Sequence, residues 1–86
     1  MKKVELSANH QSLVDGLKAY NNDKNYRIIN DIIQGIEFGM VDQTKLLCHT
    51  QLDKLRGLPE VVELLKQHLF VNDPDNPFRT RKRTVQ

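Results

Sequence analysis

The stretch YRIINDIIQGIEFGM, residues 26–40, constrains the fold more than any other part of the chain. Its isoleucines recur at helical spacing, and together with Tyr26 they cover an arc of roughly 160° around a helix, wider than one ordinary core stripe. Such a helix needs neighbours on more than one side. Ile28 and Ile32 are predicted to face either a second helix or a partner subunit. Three further isoleucines are predicted to be buried within the chain: Ile29, Ile33 and Ile36.

Polar residues suited to N-capping mark the starts of three helices. Ser7 or Asn9 can cap a first helix, because their side-chain oxygens can accept hydrogen bonds from first-turn amides. Asp23 is predicted to cap the isoleucine-rich helix in the same way. Asp42 is predicted to be the N-cap of a third helix, which continues through KLLCHTQLDKLR.

Glycine and proline then divide the chain into about four short helices. Gly39 is a plausible left-handed stop for the isoleucine-rich helix, and Gly57 ends the third helix. Pro59 suits the first turn of a fourth helix, where its missing amide hydrogen costs nothing. We therefore predict an all-α fold, a compact helical bundle in residues 1–71. A turn-rich linker and a flexible basic tail, too polar to add a core of their own, would follow in residues 72–86.

The length and the single cysteine limit the class of protein. A chain of 86 residues is long enough for one domain. Cys48 cannot form an internal disulfide, which favours a reducing, intracellular compartment. No segment approaches the roughly 20 apolar residues of a membrane-spanning helix, and the opening MKKVELSANHQ lacks the apolar run of a secretion signal. We expect a soluble, cytoplasmic protein with no membrane partner.

No residue pattern predicts a catalytic site, a metal site or a cofactor. Cys48 and His49 are adjacent, so on a helix they point about 100° apart and cannot pair as nucleophile and base. Cys48 lies in line with Leu55 and is expected to be a small buried apolar side chain. His10 and His68 are too far in sequence from other ligands for a helical zinc site. Since glycine-rich phosphate loops are also missing from the sequence, we expect a non-enzyme.

The segment LDKLRGLPEVVELL, residues 52–65, resembles the helix-hairpin-helix element of DNA-binding proteins. In that element, amides of a glycine–hydrophobic–glycine turn bind a DNA phosphate, and Gly57 and Leu58 match the first two turn positions. Pro59 replaces the second glycine and lacks an amide, and Glu63 stands where a small residue lets the helices approach. The same residues fit an ordinary connection in which glycine ends one helix and proline begins the next, so we assign no family.

The basic C-terminal tail suggests a polyanion contact. Arg79, Arg81, Lys82 and Arg83 contribute +4 within the last eight residues, which leaves +9 and −11, or −2, on residues 1–78. Closely spaced cations can neutralise phosphates and release counterions. The tail has no interleaved aromatic residues that would stack on bases, so any nucleic-acid binding would lack sequence readout.

Two functional hypotheses follow from these features. The preferred one is a non-catalytic protein-binding module, of adaptor or inhibitor type, in which Ile28 and Ile32 contact another protein or a second copy of the chain. The alternative is an RNA- or DNA-binding protein that uses the basic tail. We prefer the first because an apolar helix face wider than one core stripe requires a covering surface, whereas short basic termini are common on solvated chain ends.

Overall fold

The computed structural model describes residues 4–71, 73, 74 and 76–78 and contains five α-helices in that part of the chain. Their bounds are α1 Ala8–Asn21, α2 Arg27–Glu37, α3 Val41–Thr50, α4 Leu52–Arg56 and α5 Pro59–His68. The described residues form no strand, so the predicted all-α class is confirmed. The predicted third helix is divided into α3 and α4 because Gln51, at φ −109° and ψ 26°, departs from helical geometry. Nowhere in the described ranges is a helix long and apolar enough to cross a membrane.

The predicted cap of α1 is confirmed, whereas the predicted cap of α3 is wrong. The Ser7 hydroxyl oxygen accepts a hydrogen bond from the amide of His10 at 3.2 Å. Asp42 is not an N-cap, because the helix begins at Val41, two residues earlier than expected. The amide of Thr44 already donates to the Met40 carbonyl at 3.0 Å, which makes Met40 the N-cap. Asp42 lies inside the first turn, where its charge complements the helix dipole.

The predicted Asp23 cap of α2 is also wrong, because the N-cap residue is Tyr26 and no side chain caps this helix. The helix begins at Arg27, four residues after Asp23. The Asn21 side-chain oxygen accepts from the amide of Tyr26 at 2.6 Å. Asn25 adopts a positive φ of 51°, which turns the chain between the two helices. The carboxamide of the preceding helix therefore holds the start of the next one.

The predicted helix stops agree with the structure. Gly39 has a φ of 76°, the left-handed conformation that glycine adopts without strain. Gly57 follows the last residue of α4, and Pro59 is the first residue of α5. Only Gly57 and Leu58 separate the two helices, so the connection is tight.

The central position of α2 explains the width of its apolar face. This helix packs against α1 on one side and α3 on the other, while α5 packs against α1 and α4. The burial predicted for three isoleucines is confirmed: Ile29, Ile33 and Ile36. Ile32 is also fully buried, and Ile28 is half-buried against the same core. Helices of the same chain therefore cover most of the apolar arc.

The core continues beyond residue 71 to Phe78. The rings of Phe70 and Phe78 are in edge contact, with centroids 5.6 Å apart, and both side chains are buried. Lys45 of α3 forms an ion pair with Asp73 at 3.0 Å. The side chain of Asn76 accepts a hydrogen bond from the amide of Phe78 at 2.8 Å. Asp73 and Phe78 are thus held on the helices, and the predicted flexible tail, residues 79–86, lies outside the described residues.

Candidate functional site

The Cys48 thiol is buried, as predicted. Burial raises its pKa to about 12, so the thiol is protonated at neutral pH. The neighbouring His49 is exposed, and its ring makes an edge contact with Phe70, 6.2 Å between centroids. The two side chains therefore have separate surroundings and do not form a nucleophile–base pair.

The remaining histidines do not converge either. His68 Nδ1 lies 2.7 Å from the side-chain oxygen of Asn9, whose side-chain nitrogen donates to the His68 carbonyl, also at 2.7 Å. This paired contact ties the start of α1 to the end of α5. Among the described residues, no group of three or more His, Cys, Asp and Glu side chains is placed to hold a metal ion.

The turn that resembles a helix-hairpin-helix element uses its amides within the chain. The Gly57 amide donates to the Lys54 carbonyl at 3.2 Å, and the Leu58 amide donates to the Leu55 carbonyl at 2.8 Å. Pro59 has no amide hydrogen to offer. The turn therefore closes the end of α4 and is an ordinary connection, which leaves no amide at these three positions for a phosphate.

The two residues predicted to contact a protein partner differ in their exposure to solvent. Ile32 is fully buried within the single chain, so it is not part of the surface. Ile28 remains partly exposed at the edge of the core. The four residues predicted to contact nucleic acid lie outside the described residues: Arg79, Arg81, Lys82 and Arg83.

A groove between α2 and α3 is a concave feature that the described residues supply for a ligand. Its volume is about 200 Å³. Three of its lining side chains are apolar: Phe38, Met40 and Leu47. Three more lining side chains are polar or charged: Asp31, Gln34 and Gln43. We call this feature the α2–α3 groove; Gly35 and Thr44 complete its lining.

Close contact between Gly35 and Thr44 fixes the geometry of this groove. A Cβ atom at Gly35 would overlap the hydroxyl oxygen of Thr44, so the close approach of α2 and α3 requires glycine there. The Thr44 hydroxyl is buried and donates to the Met40 carbonyl at 2.7 Å. The Met40 amide in turn donates to the Gly35 carbonyl at 2.8 Å. These bonds tie the two helices and their connecting loop together, so the groove is preformed.

Three exposed apolar side chains line the groove or adjoin residues beside it. Met40, which lines the groove, is 37% exposed, and Leu46, beside Leu47 on the outer side of α3, is 62% exposed. Val4 is 46% exposed and packs at Gly39, immediately before Met40. Only Tyr26 and Val71 among the other described residues are large, apolar and exposed. Apolar surface that the chain does not cover is therefore concentrated beside the groove.

The size of the groove limits what it can hold. Small-molecule pockets usually enclose roughly 300 to 1,000 Å³. At about 200 Å³, the α2–α3 groove is smaller than this and suits a few side chains of a larger partner. Its preformed walls would lower the entropic cost of such binding.

In the comparisons with known proteins, no family model, curated protein or solved structure matches this chain. Function is therefore inferred from the residues of the chain itself. The groove was not among the features predicted from the sequence, although the sequence contains one relevant signal. Gly35 is an isolated glycine inside a strongly apolar helix, a pattern that often marks close packing.

Proposed function

We propose that this chain is a non-catalytic protein-binding module, of adaptor or inhibitor type, that acts in a reducing intracellular compartment. In this proposal the α2–α3 groove receives apolar side chains of another protein. The observation that supports it most is a preformed, largely apolar groove bordered by the exposed side chains of Met40 and Leu46. Clustered apolar surface of this kind is typical of protein interaction sites.

The proposed contact differs from the one expected from the sequence. Ile32 is buried against other helices of the chain and cannot contribute to a surface. Ile28 precedes Asp31 by three residues and Gly35 by seven, so it lies on the groove side of α2 and can extend the contact. The binding surface therefore combines the partly exposed Ile28 with the apolar lining of the groove.

Site-specific photo-crosslinking tests where a partner binds. A photoreactive amino acid is placed at Gln43, which is exposed and lines the groove, and in a control variant at the exposed Glu60 of α5. We expect a discrete crosslinked protein from position 43 and none from position 60. Equal crosslinking from both positions would contradict a specific contact at the groove.

The affinity of the captured partner is then measured by titration calorimetry with charged variants. Met40→Asp places a carboxylate in the groove and should weaken binding by about 2 kcal/mol or more, about thirtyfold in Kd, as expected for a central contact. Val71→Asp is the matched control, because Val71 is 53% exposed and does not line the groove. Equal effects of the two substitutions would contradict the proposal.

The basic tail supports a second candidate function, binding of RNA or DNA without sequence readout. The four cations at residues 79–83 follow directly after Phe78, which is buried on the helical body. Affinity for a generic oligonucleotide, measured by fluorescence anisotropy, should fall with salt with a log–log slope of about −3 to −4. Deletion of residues 79–86 should abolish it, and absence of binding at low salt would exclude this function.

A further inference from the structure

We infer that the occupant of the α2–α3 groove is an amphipathic helix of another protein, carrying a basic side chain that pairs with Asp31. This inference rests on the proposed protein-binding function and specifies the partner. Three features of the groove support it: the state of its backbone groups, its length and its charge.

The backbone of the groove favours a helix over an extended peptide. Both walls are helices, whose interior backbone groups bond within the helix, and the Met40 amide between them is bonded to the Gly35 carbonyl. The described residues contain no sheet edge to which a strand could be added. An extended peptide would therefore leave most of its backbone polar groups unpaired against Phe38, Met40 and Leu47, whereas a helix satisfies its own.

The length of the groove matches the spacing of helical side chains. Its lining extends from Asp31 of α2 to Phe38, the C-cap residue, which corresponds to about 10 Å, or about two helical turns, along the axis. Two or three side chains at i, i+3 or i+4, and i+7 of a partner helix cover that distance. This number of side chains also agrees with the cavity volume of about 200 Å³.

The charge at the rim favours a basic partner. The Asp31 side chain is 47% exposed, and its Oδ2 atom lies 3.8 Å from Nε of Arg27, whose own side chain is 92% exposed. Such a long, solvated pair is weak, so Asp31 can exchange Arg27 for a cation of the partner. The described residues that line the groove include no lysine or arginine. Its field therefore favours a Lys or Arg and disfavours a carboxylate at that position.

Selection from two displayed peptide libraries tests this inference. One library consists of helical peptides with leucines at i, i+4 and i+7 and randomised polar positions; the other contains proline-interrupted, extended peptides with the same leucine content. The wild-type chain should enrich helical peptides with Lys or Arg at one position. Asp31→Lys should reverse this preference to Glu or Asp, whereas Asp53→Lys, an exposed site away from the groove, should not.

The affinity of one enriched peptide provides the quantitative test. Asp31→Asn should weaken binding about two- to fivefold, the range of an exposed ion pair, and high salt should remove the difference. Met40→Asp should abolish binding. Two results would overturn the helix inference and leave the protein-binding function supported: enriched peptides that require Met40 but are extended, or enriched peptides that require Met40 but bind equally well whatever the charge at position 31. If the peptides bind the Met40→Asp variant as tightly as they bind the wild type, both the helix inference and the protein-binding function are overturned. Self-association of the chain that is lost in Met40→Asp would identify a second copy as the occupant and overturn the inference.

Discussion

Substitution of Gly35 by alanine tests whether α2 and α3 are as close as the structure places them. In an ordinary helix, alanine at this position would be favourable by about 0.8 to 1 kcal/mol. Here the added Cβ would overlap the Thr44 hydroxyl oxygen and lie 3.3 Å from the Thr44 Cβ. That hydroxyl is buried and bonded to the Met40 carbonyl, so it has little freedom to move.

The expected effect is the difference between two opposing terms. Forcing an extra methyl group into a close contact costs about 1 to 3 kcal/mol. The upper part of that range applies because moving Thr44 would break a buried hydrogen bond, which alone costs about 1 to 3 kcal/mol. After subtraction of the helix propensity gain, Gly35→Ala should lower the free energy of unfolding by about 1 to 2 kcal/mol.

Urea denaturation followed by far-UV circular dichroism measures this loss. Gly16→Ala is the matched control, because a Cβ there would meet only the flexible end of the Leu64 side chain, at 3.0 Å. We expect that control to be neutral or stabilising. Thr44→Ala combined with Gly35→Ala should cost less than the sum of the single substitutions, because it removes the overlapping oxygen. If Gly35→Ala is as stable as Gly16→Ala, the close approach of the helices is refuted.

Three further predictions concern the core. Ile33→Ala should lower the free energy of unfolding by about 2 to 5 kcal/mol in chemical denaturation, and a loss under about 1 kcal/mol would place this side chain on the surface. Deletion of residues 79–86 should leave the Tm unchanged in calorimetry, whereas deletion of residues 72–86 should lower it by removing Phe78 from the core; equal Tm values would contradict that packing. Burial raises the Cys48 pKa from 9.0 to about 12, so its stabilising contribution is complete below pH 9 and is lost as the pH rises towards 12. Stability measured across this range should fall less in Cys48→Ala, and parallel profiles would contradict the burial of the thiol.

Features that depend on local backbone chemistry could be predicted from the sequence. Gly39 was identified because few other residues adopt a positive φ, and Pro59 because its missing amide is harmless in a first turn. The isoleucine spacing predicted buried positions in α2 for a similar reason, since helical periodicity is a local property. Asp23 and Asp42 were wrong as caps because α2 and α3 begin at Arg27 and Val41 without any side-chain cap. Where each helix begins depends on where neighbouring elements place the chain.

Features that depend on contacts between distant residues could not be predicted in this way. The burial of Phe78 requires Phe70 and α3 to form a shared surface, which no local pattern within NDPDNPF reveals. The α2–α3 groove likewise depends on Gly35 meeting Thr44, and on Met40 and Leu47 converging from different elements. The sequence indicated the side chains that participate but not which of them would meet.

The position of α2 separates the residues that stabilise the fold from those proposed to bind a partner. Its inner face, including Ile32 and Ile33, is buried between α1 and α3, so the apolar width that suggested a partner is accounted for within the chain. Met40 belongs to the outer corner and is 37% exposed, so its replacement by a polar residue removes less burial than replacement of Ile32 or Ile33. Substitutions on the inner face should therefore reduce stability more than Met40 substitutions, whose main effect should be on binding. A partner contact through the inner face would require α2 to leave its neighbours, at the cost of the core.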